Sequence, residues 1–411
     1  MPDAIGRANG KTLNHFTSEL RRRLDEIQAQ GLYRELRRVD SPQSARISVA
    51  GRSFLNFSSN DYLGLANHPV LKEAAIRATE RFGTGSGASR LICGSLAPHG
   101  ELEEALAQFK GTEAALSFSS GYATALGTIG ALAGRDDVVV IDKLVHASLV
   151  DAARLSGAKL RVFAHNDLTE LEDILRWSVQ RAPPGFSGDR PRTLVVTESV
   201  FSMDGDFAPL REMVELKEKY GAWLMLDEAH ATGLFGDNGR GRAEESSLAD
   251  RIEVRMGTLG KALGASGGYV CGPRVLMEFL INRARSFIFS TAPARATAAA
   301  AGAAVKLVQS AEGQERRDRL WSLVDRVRDG LAKSGWGTPA DRGAIIPLII
   351  GGENEALAAA GTLREQGVFI PAIRHPTVAR GEARLRLTLT AAHTAAEVEQ
   401  LLKAVARIRS P

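Results

Sequence analysis

Short apolar runs rich in β-branched residues alternate with helix-period segments through the middle of the chain. The runs at Ala114–Phe118, Val138–Asp142, Leu160–Phe163, Leu194–Thr197, Trp223–Asp227 and Ile252–Met256 predict strands. Helical spacing separates most of them, at Ala123–Leu132, Ala147–Ser156, Leu168–Val179 and Leu210–Tyr220. Strands that alternate with helices imply βαβ units and a mostly parallel central sheet, an α/β fold. Val138-Val139-Val140-Ile141 and Trp223-Leu224-Met225-Leu226 are apolar without interruption, as strands covered on both faces must be.

The flanks follow other patterns. Thr12 to Gln30 has helical periodicity with many charges and predicts an exposed N-terminal helix. Ile47–Val49 and Phe54–Asn56 predict a hairpin around Ala50-Gly51. The Ala-rich helix Ala292–Gln309 leads into a smaller unit with helices Arg316–Ser334, Asn354–Gln366 and Thr394–Ile408. Strands Ile345–Leu348 and Arg384–Leu389 would give that unit its own sheet. Pro183-Pro184-Gly185 and Gly188 mark a surface loop. The expected division is an N-terminal helix and hairpin (1–55), a large domain (56–295) and a small α/β C-terminal domain (296–411).

Composition narrows the class but not the chemistry. The 411 residues are 44% hydrophobic and 24% charged, which is ordinary for a globular chain with two or three cores. The net charge of +4 is spread without a basic block, so nucleic acid is not an expected partner. Cys93 and Cys271 are too few for a metal cage and lie in no CxxC pattern, so the expectation is a reducing, cytoplasmic setting and no metal. Met1–Lys11 lacks an apolar segment of the secretory kind, and Ala114–Ala133 is too interrupted for a membrane span.

In open parallel sheets, ligands bind beyond the carboxyl ends of the strands, so the polar residues there carry the candidate chemistry. Asp227 ends an apolar run, and a carboxylate in that position needs a cation or donor. His230 follows three residues later. Asp227-Glu228-Ala229-His230 also matches a helicase box, but no Gly-x-x-x-x-Gly-Lys-[Ser/Thr] loop exists to hold a nucleotide. Ser119-Ser120-Gly121-Tyr122 joins a strand to a helix N-terminus, a place where phosphate binds. His146 opens a helix with a ring that would stack on a flat ligand, and Ser199 and Ser202 follow the strand Leu194–Thr197. Lys261 lies in Met256-Gly257-Thr258-Leu259-Gly260-Lys261-Ala262-Leu263-Gly264 with no acidic neighbour. Burial would lower its pKa, and a neutral amine forms Schiff bases with carbonyls. Read singly, each residue has a plain structural alternative: a snorkelling lysine, a capping aspartate, a core histidine, a common Ser-Gly turn. Together they form the set that pyridoxal phosphate requires: an amine, a counter-charge for the pyridinium, a ring stack and an anion cradle.

From about Leu24 onward the chain resembles the α-oxoamine synthases, fold-type I pyridoxal-phosphate enzymes. Asn56-Phe57-Ser58-Ser59-Asn60-Asp61-Tyr62-Leu63-Gly64-Leu65 is similar to the family's entry motif, and Thr84-Gly85-Ser86-Gly87-Ala88-Ser89-Arg90 to its glycine loop. His146-Ala147-Ser148, Phe201-Ser202-Met203-Asp204-Gly205-Asp206, Asp227-Glu228-Ala229-His230 and Thr258-Leu259-Gly260-Lys261 follow in family order. The resemblance implies an aminotransferase-like fold, with a large domain around a mostly parallel sheet and a smaller C-terminal domain. It implies that Lys261 anchors the cofactor, Asp227 faces the pyridinium nitrogen, His230 the phenolate oxygen, and His146 the ring face. Gly121, Tyr122 and Thr258 would border the phosphate, Ser202 would touch the cofactor, and Thr291 would reach the phosphate of a partner subunit. Arg386 would grip the amino acid carboxylate, with Arg34, Asn60, His146 and Thr377 also at the substrate.

Ala372-Ile373-Arg374-His375-Pro376-Thr377-Val378 and Ala383–His393 are most similar to the biotin-pathway branch of the family, although His375 stands where proline is common there. That branch condenses L-alanine with a pimeloyl thioester, on CoA or a carrier protein, and works as a homodimer. The nearest alternative is another condensation of the family, such as glycine with acetyl-CoA. A catalytically silent scaffold would be expected to lack Lys261, Asp227 or His146, and all three are present.

Overall fold

The computed structural model describes residues 3–180 and 191–408, with side chains from residue 13 onward. The loop expected at Pro183–Gly188 lies outside the described residues. Thirteen strands are described: β1 Arg46–Val49, β2 Arg52–Asn56, β3 Ala114–Phe118, β4 Val138–Asp142, β5 Lys159–Phe163, β6 Thr193–Glu198, β7 Trp223–Asp227, β8 Val254–Thr258, β9 Gly268–Gly272, β10 Ile345–Gly351, β11 Val368–Phe369, β12 Ala372–Ile373 and β13 Ala383–Thr388.

Seven of them form the main sheet, in the order β3-β9-β8-β7-β6-β4-β5. The five strands β4 to β8 run parallel, and β9 lies antiparallel between β3 and β8. Every residue of β4 is buried, as its uninterrupted apolar run requires of a strand covered on both sides. Each such valine or isoleucine contributes on the order of 1.5–3 kcal/mol by leaving water. Register aligns the carboxyl ends: Glu198 of β6 is paired with Asp227 of β7, and Asp227 with Met256 of β8. Two carboxylates therefore stand on adjacent strands about 4.8 Å apart.

The expected strand at Ile252–Met256 is displaced by two residues, to Val254–Thr258, so Thr258 is the last strand residue instead of lying in a loop. Strand β9 has no counterpart in the apolar pattern. Helices at Pro69–Phe82 and Ala97–Lys110 pack against the Ala-rich helix Arg295–Val308. The N-terminal helix spans Asp3–Ala29, earlier than its charge pattern suggests.

Strands β10, β13 and β12 form a separate antiparallel sheet. The β1–β2 hairpin turns at Ala50 and Gly51, both at positive φ (49° and 74°), the geometry of a tight two-residue hairpin turn. It does not stand alone, because β11 pairs in parallel with β2 and ties residues 46–56 to the C-terminal part of the chain. His393 reinforces that tie. Its ring stacks on Phe57 with centroids 4.2 Å apart, and its Nε2 donates to the Asn56 carbonyl at 3.1 Å. Burial lowers His393 from 6.5 to about 4. The folded state thus holds this ring neutral, whereas the unfolded chain takes up a proton below pH 6.5. Stability from this group is complete above about pH 6.5 and is lost as the pH falls towards 4. Urea unfolding is expected to show a loss of about 3 kcal/mol from it between pH 7 and pH 4, absent in His393→Gln. No helix among the described residues is long and apolar enough to cross a membrane.

Candidate active site

The carboxyl ends of β6, β7 and β8, the helix N-termini beside them and strand β13 bring most of the candidate residues together. Asp227 ends β7, buried, with Oδ1 accepting from the Ala229 N–H at 2.8 Å. Burial raises its pKa, and the charge of Lys261 opposes that rise. Among the described residues, no lysine, arginine or histidine reaches its carboxylate within ion-pair distance. A buried acid in that position fits a ligand cation, such as a protonated ring nitrogen.

Lys261 lies beyond β8 in the loop to β9. Burial pulls its amine down to about 8, while Asp227 and Glu198 pull the other way. Its Nζ lies 2.7 Å from His230 Nε2, and His230 Nδ1 lies 2.7 Å from the Tyr62 hydroxyl. The hydroxyl lies 3.2 Å from Asn60 Oδ1, which also accepts from Arg386 Nη1 at 3.1 Å. Donor directions follow from the arginine, which only donates. Asn60 must then present its oxygen, Tyr62 must donate to it, His230 Nδ1–H must donate to Tyr62, and Lys261 must donate to Nε2. The chain from Lys261 to Arg386 is closed only if His230 is neutral. Its pKa is indeed driven well down by burial, with the charges of Lys261 and Arg386 adding to the effect.

Arg386 is buried in β13, and its Nε donates to the Ser202 carbonyl at 2.6 Å. Ser202 itself is buried. His146 caps the helix Ala147–Leu155 through Nδ1, which accepts from the Ser148 N–H at 3.2 Å. Its pKa is lowered by desolvation and by the charge of Lys261, with Asp227 opposing. The His146 N–H donates to Glu198 Oε1 at 2.5 Å. Glu198, buried at the end of β6, escapes the motif reading although it obeys the rule that marks Asp227, a carboxylate closing an apolar run. Burial raises it to about 8, and Asp227 adds to the rise. Tyr62 is the other member of the cluster, contained in the entry motif but given no role by it.

The anion cradle has a steric explanation. Gly268 is paired with both Phe118 and Thr258, at the same edge of the sheet. A Cβ there would sit 2.4 Å from Thr124 Oγ1 and 2.8 Å from the N and Cα of Gly121. The helix Gly121–Leu132 can come this close to the strand only because residue 268 has no side chain. Its first-turn N–H groups, with no intrahelical acceptor, then lie beside Thr258, an arrangement that suits an anion. Ser120 caps that helix by accepting from the Ala123 N–H at 3.0 Å, and the Thr258 hydroxyl donates to the Gly267 carbonyl at 3.0 Å. Gly268→Ala is expected to push the helix start away. The apoprotein would lose about 1–3 kcal/mol by overpacking, and affinity for a phosphate-bearing cofactor would drop about tenfold, read by melting and by equilibrium titration.

Three candidates lie outside this cluster, and Tyr122 belongs to it through its backbone: its N–H is in the first turn of the helix, while its hydroxyl donates to Asp151 at 2.7 Å. Thr291 is exposed, bridged to Ser89, and lines a small crevice with Ser119. Arg34 and Thr377 are exposed. Their loops meet where Arg374 donates to the Gly31 carbonyl and the Thr377 N–H donates to the Arg374 carbonyl at 3.0 Å.

Residues 52–405 match the model of the aminotransferase class I and II family. The chain belongs to that family. Within it, the relatives are α-oxoamine synthases. The 8-amino-7-oxononanoate synthase of Geotalea daltonii is 48% identical over 385 residues, covering 94% of this chain and 96% of its own. That of Anaeromyxobacter dehalogenans is 49% identical over 385 residues, 94% of either chain. A serine palmitoyltransferase of S. paucimobilis, solved with PLP–myriocin bound, superposes with a TM-score of 0.87 at 30% identity over 95% of this chain and 96% of its own. An 8-amino-7-oxononanoate synthase structure from Francisella tularensis gives 0.72 at 27% identity, over 86% and 97%. This aminotransferase class I and II protein is a pyridoxal-phosphate enzyme of the acyltransferase kind, and its residues fit that cofactor. A weakly basic amine, an unpaired buried carboxylate and a glycine-lined helix N-terminus suit its aldehyde, ring nitrogen and phosphate respectively.

Proposed function

We propose that the protein condenses L-alanine with a pimeloyl thioester, giving 8-amino-7-oxononanoate, the free thiol and CO2, a step of biotin synthesis. The observation that carries this reading is near-half identity, along almost the whole length, to relatives bearing that name. Bound pyridoxal phosphate supplies an electron-poor ring that stabilises negative charge at the amino acid Cα. Asp227 would face the protonated ring nitrogen with its buried carboxylate, and His230 would stand at the ring oxygen, its ring held by Tyr62. Arg386, fixed by the Ser202 carbonyl and Asn60, takes the alanine carboxylate in a two-pronged grip. Lys261 anchors the cofactor, then removes the Cα proton and later returns one. An amine with a pKa near 8 suits both directions of transfer near neutral pH. His146 flanks the ring and the substrate.

In this reading the large unit (56–295) holds the cofactor, and the C-terminal unit (296–411) supplies Arg386 and Thr377. A homodimer completes the site, with Thr291 reaching the partner's phosphate and Arg34 the substrate. The apolar stripe Leu13, Phe16, Leu20, Leu24 and Ile27 on the N-terminal helix, exposed in the single chain, suits burial against a second copy.

The test is product analysis by mass spectrometry, with alanine and pimeloyl-CoA run beside glycine and acetyl-CoA. The first pair is expected to turn over at least about tenfold better in kcat/KM, the scale on which a pocket separates acyl chains. Preference for the second pair would replace this reading with the alternative condensation.

A further inference from the structure

His165 lies outside every motif considered so far, yet it joins two segments of the site. It follows β5, and its Nδ1 lies 3.0 Å from Asp142 Oδ1 at the end of β4. Its Nε2 lies 2.7 Å from Asp206 Oδ2 in the loop after β6. The edge of the ring meets Phe201, centroids 4.4 Å apart at 89°. Asn166, held at φ 57°, adds two ties: its N–H donates to Asp142 Oδ2 at 2.9 Å, and its Nδ2 donates to the Phe207 carbonyl at 3.0 Å.

The loop Phe201–Phe207 is thus bolted to the large sheet on one side. On the other side it holds the C-terminal unit. The Ser202 carbonyl takes Arg386 Nε, Asp204 pairs with Arg384, and the Phe207 N–H donates to Asp341 Oδ2 at 2.9 Å. A Cβ on Gly205 would sit 2.4 Å from the Ile345 carbonyl oxygen, so the loop lies directly on β10.

We propose that His165 is a positioning residue for the amino acid carboxylate, acting through Asp206 and the Ser202 carbonyl on the aim of Arg386. This rests on the reading of Arg386 as the carboxylate grip. The imidazole suits the task because two N–H groups at fixed directions reach two carboxylates at once. Burial disfavours its charge, but the hydrogen bonds to Asp142 and Asp206 outweigh that and raise it to about 10. It therefore stays a double donor across the neutral range. Small errors in the aim of a binding group are costly, since geometry sets the strength of a two-pronged contact.

The experiment uses holoenzyme, with KM and kcat for both substrates and an absorbance titration of alanine binding. His165→Gln is expected to raise KM and Kd for alanine about tenfold and leave KM for the thioester within about twofold. Asp206→Asn, which leaves the ring in place, should show the same split to a smaller degree. In an Arg386→Lys background, His165→Gln should add little, because both changes act on one contact. Equal increases for both substrates, or full additivity with Arg386→Lys, would overturn the proposal as a mere stability effect. An unchanged alanine Kd in both His165→Gln and Asp206→Asn, with a weakened one in Arg386→Lys, would overturn it alone. An unchanged Kd in Arg386→Lys would remove the grip reading itself, and the proposal with it.

Discussion

Lys261→Ala is expected to lower turnover by about 10⁴-fold or more and to leave the bound cofactor without the yellow colour it takes on when joined to an amine. Both effects follow from one side chain that anchors the cofactor and also moves the Cα proton. The structure supports that double use. Burial holds the amine at about 8, low enough for a working fraction of the free base at neutral pH, while Asp227 and Glu198 stop it falling further. His230 and Tyr62 connect it to Asn60 and Arg386, so the amine and the carboxylate grip share one hydrogen-bonded frame. The variant should still fold, because a truncated, partly buried lysine leaves a gap beside solvent and not a sealed cavity. A colourless protein with native melting and no turnover is the expected result, and a yellow, active variant would remove Lys261 from the mechanism.

Asp227→Asn is the second large effect, about 100-fold in kcat, corresponding to roughly 3 kcal/mol of electrostatic stabilisation. The change preserves shape and deletes charge. Asp227 is buried, its Oδ1 is already used by the Ala229 N–H, and no side-chain cation among the described residues pairs with it. Its charge is therefore available to a ring nitrogen. The neighbouring Glu198 does not replace it, since burial, with Asp227 adding to the effect, disfavours its charge, and its Oε1 is already used by the His146 N–H. Kinetics within about twofold of the parent enzyme would assign Asp227 a purely structural role.

Long-range geometry separates what is legible in the chain from what is not. The β4 and β7 runs announce themselves because a strand covered on both faces must be apolar throughout. Asp227 stands out because such a run should not end in a charge. Strand β9 hides because Gly268 and Gly272 bound it and weaken its strand signal, and Gly268 is a glycine for the sake of Gly121, 147 positions earlier. The β8 boundary moves because Gly257 and Thr258 are held by pairing with Tyr269 and Gly268, not by their own propensity. Glu198 is legible by the same rule as Asp227, but its motif draws attention to the serines that follow. Tyr62 and His165 gain their roles only when β6, β7 and β13 converge, and no spacing along the chain predicts that. For Tyr122, a turn read from sequence suggests a free hydroxyl, whereas the helix surface offers Asp151 within reach.

Covalent trapping tests the central claim most directly. Holoenzyme reduced with borohydride and mapped by peptide mass spectrometry should carry a single pyridoxyl adduct, on Lys261. An adduct on any other lysine, or none on a fully loaded and active protein, would contradict the account.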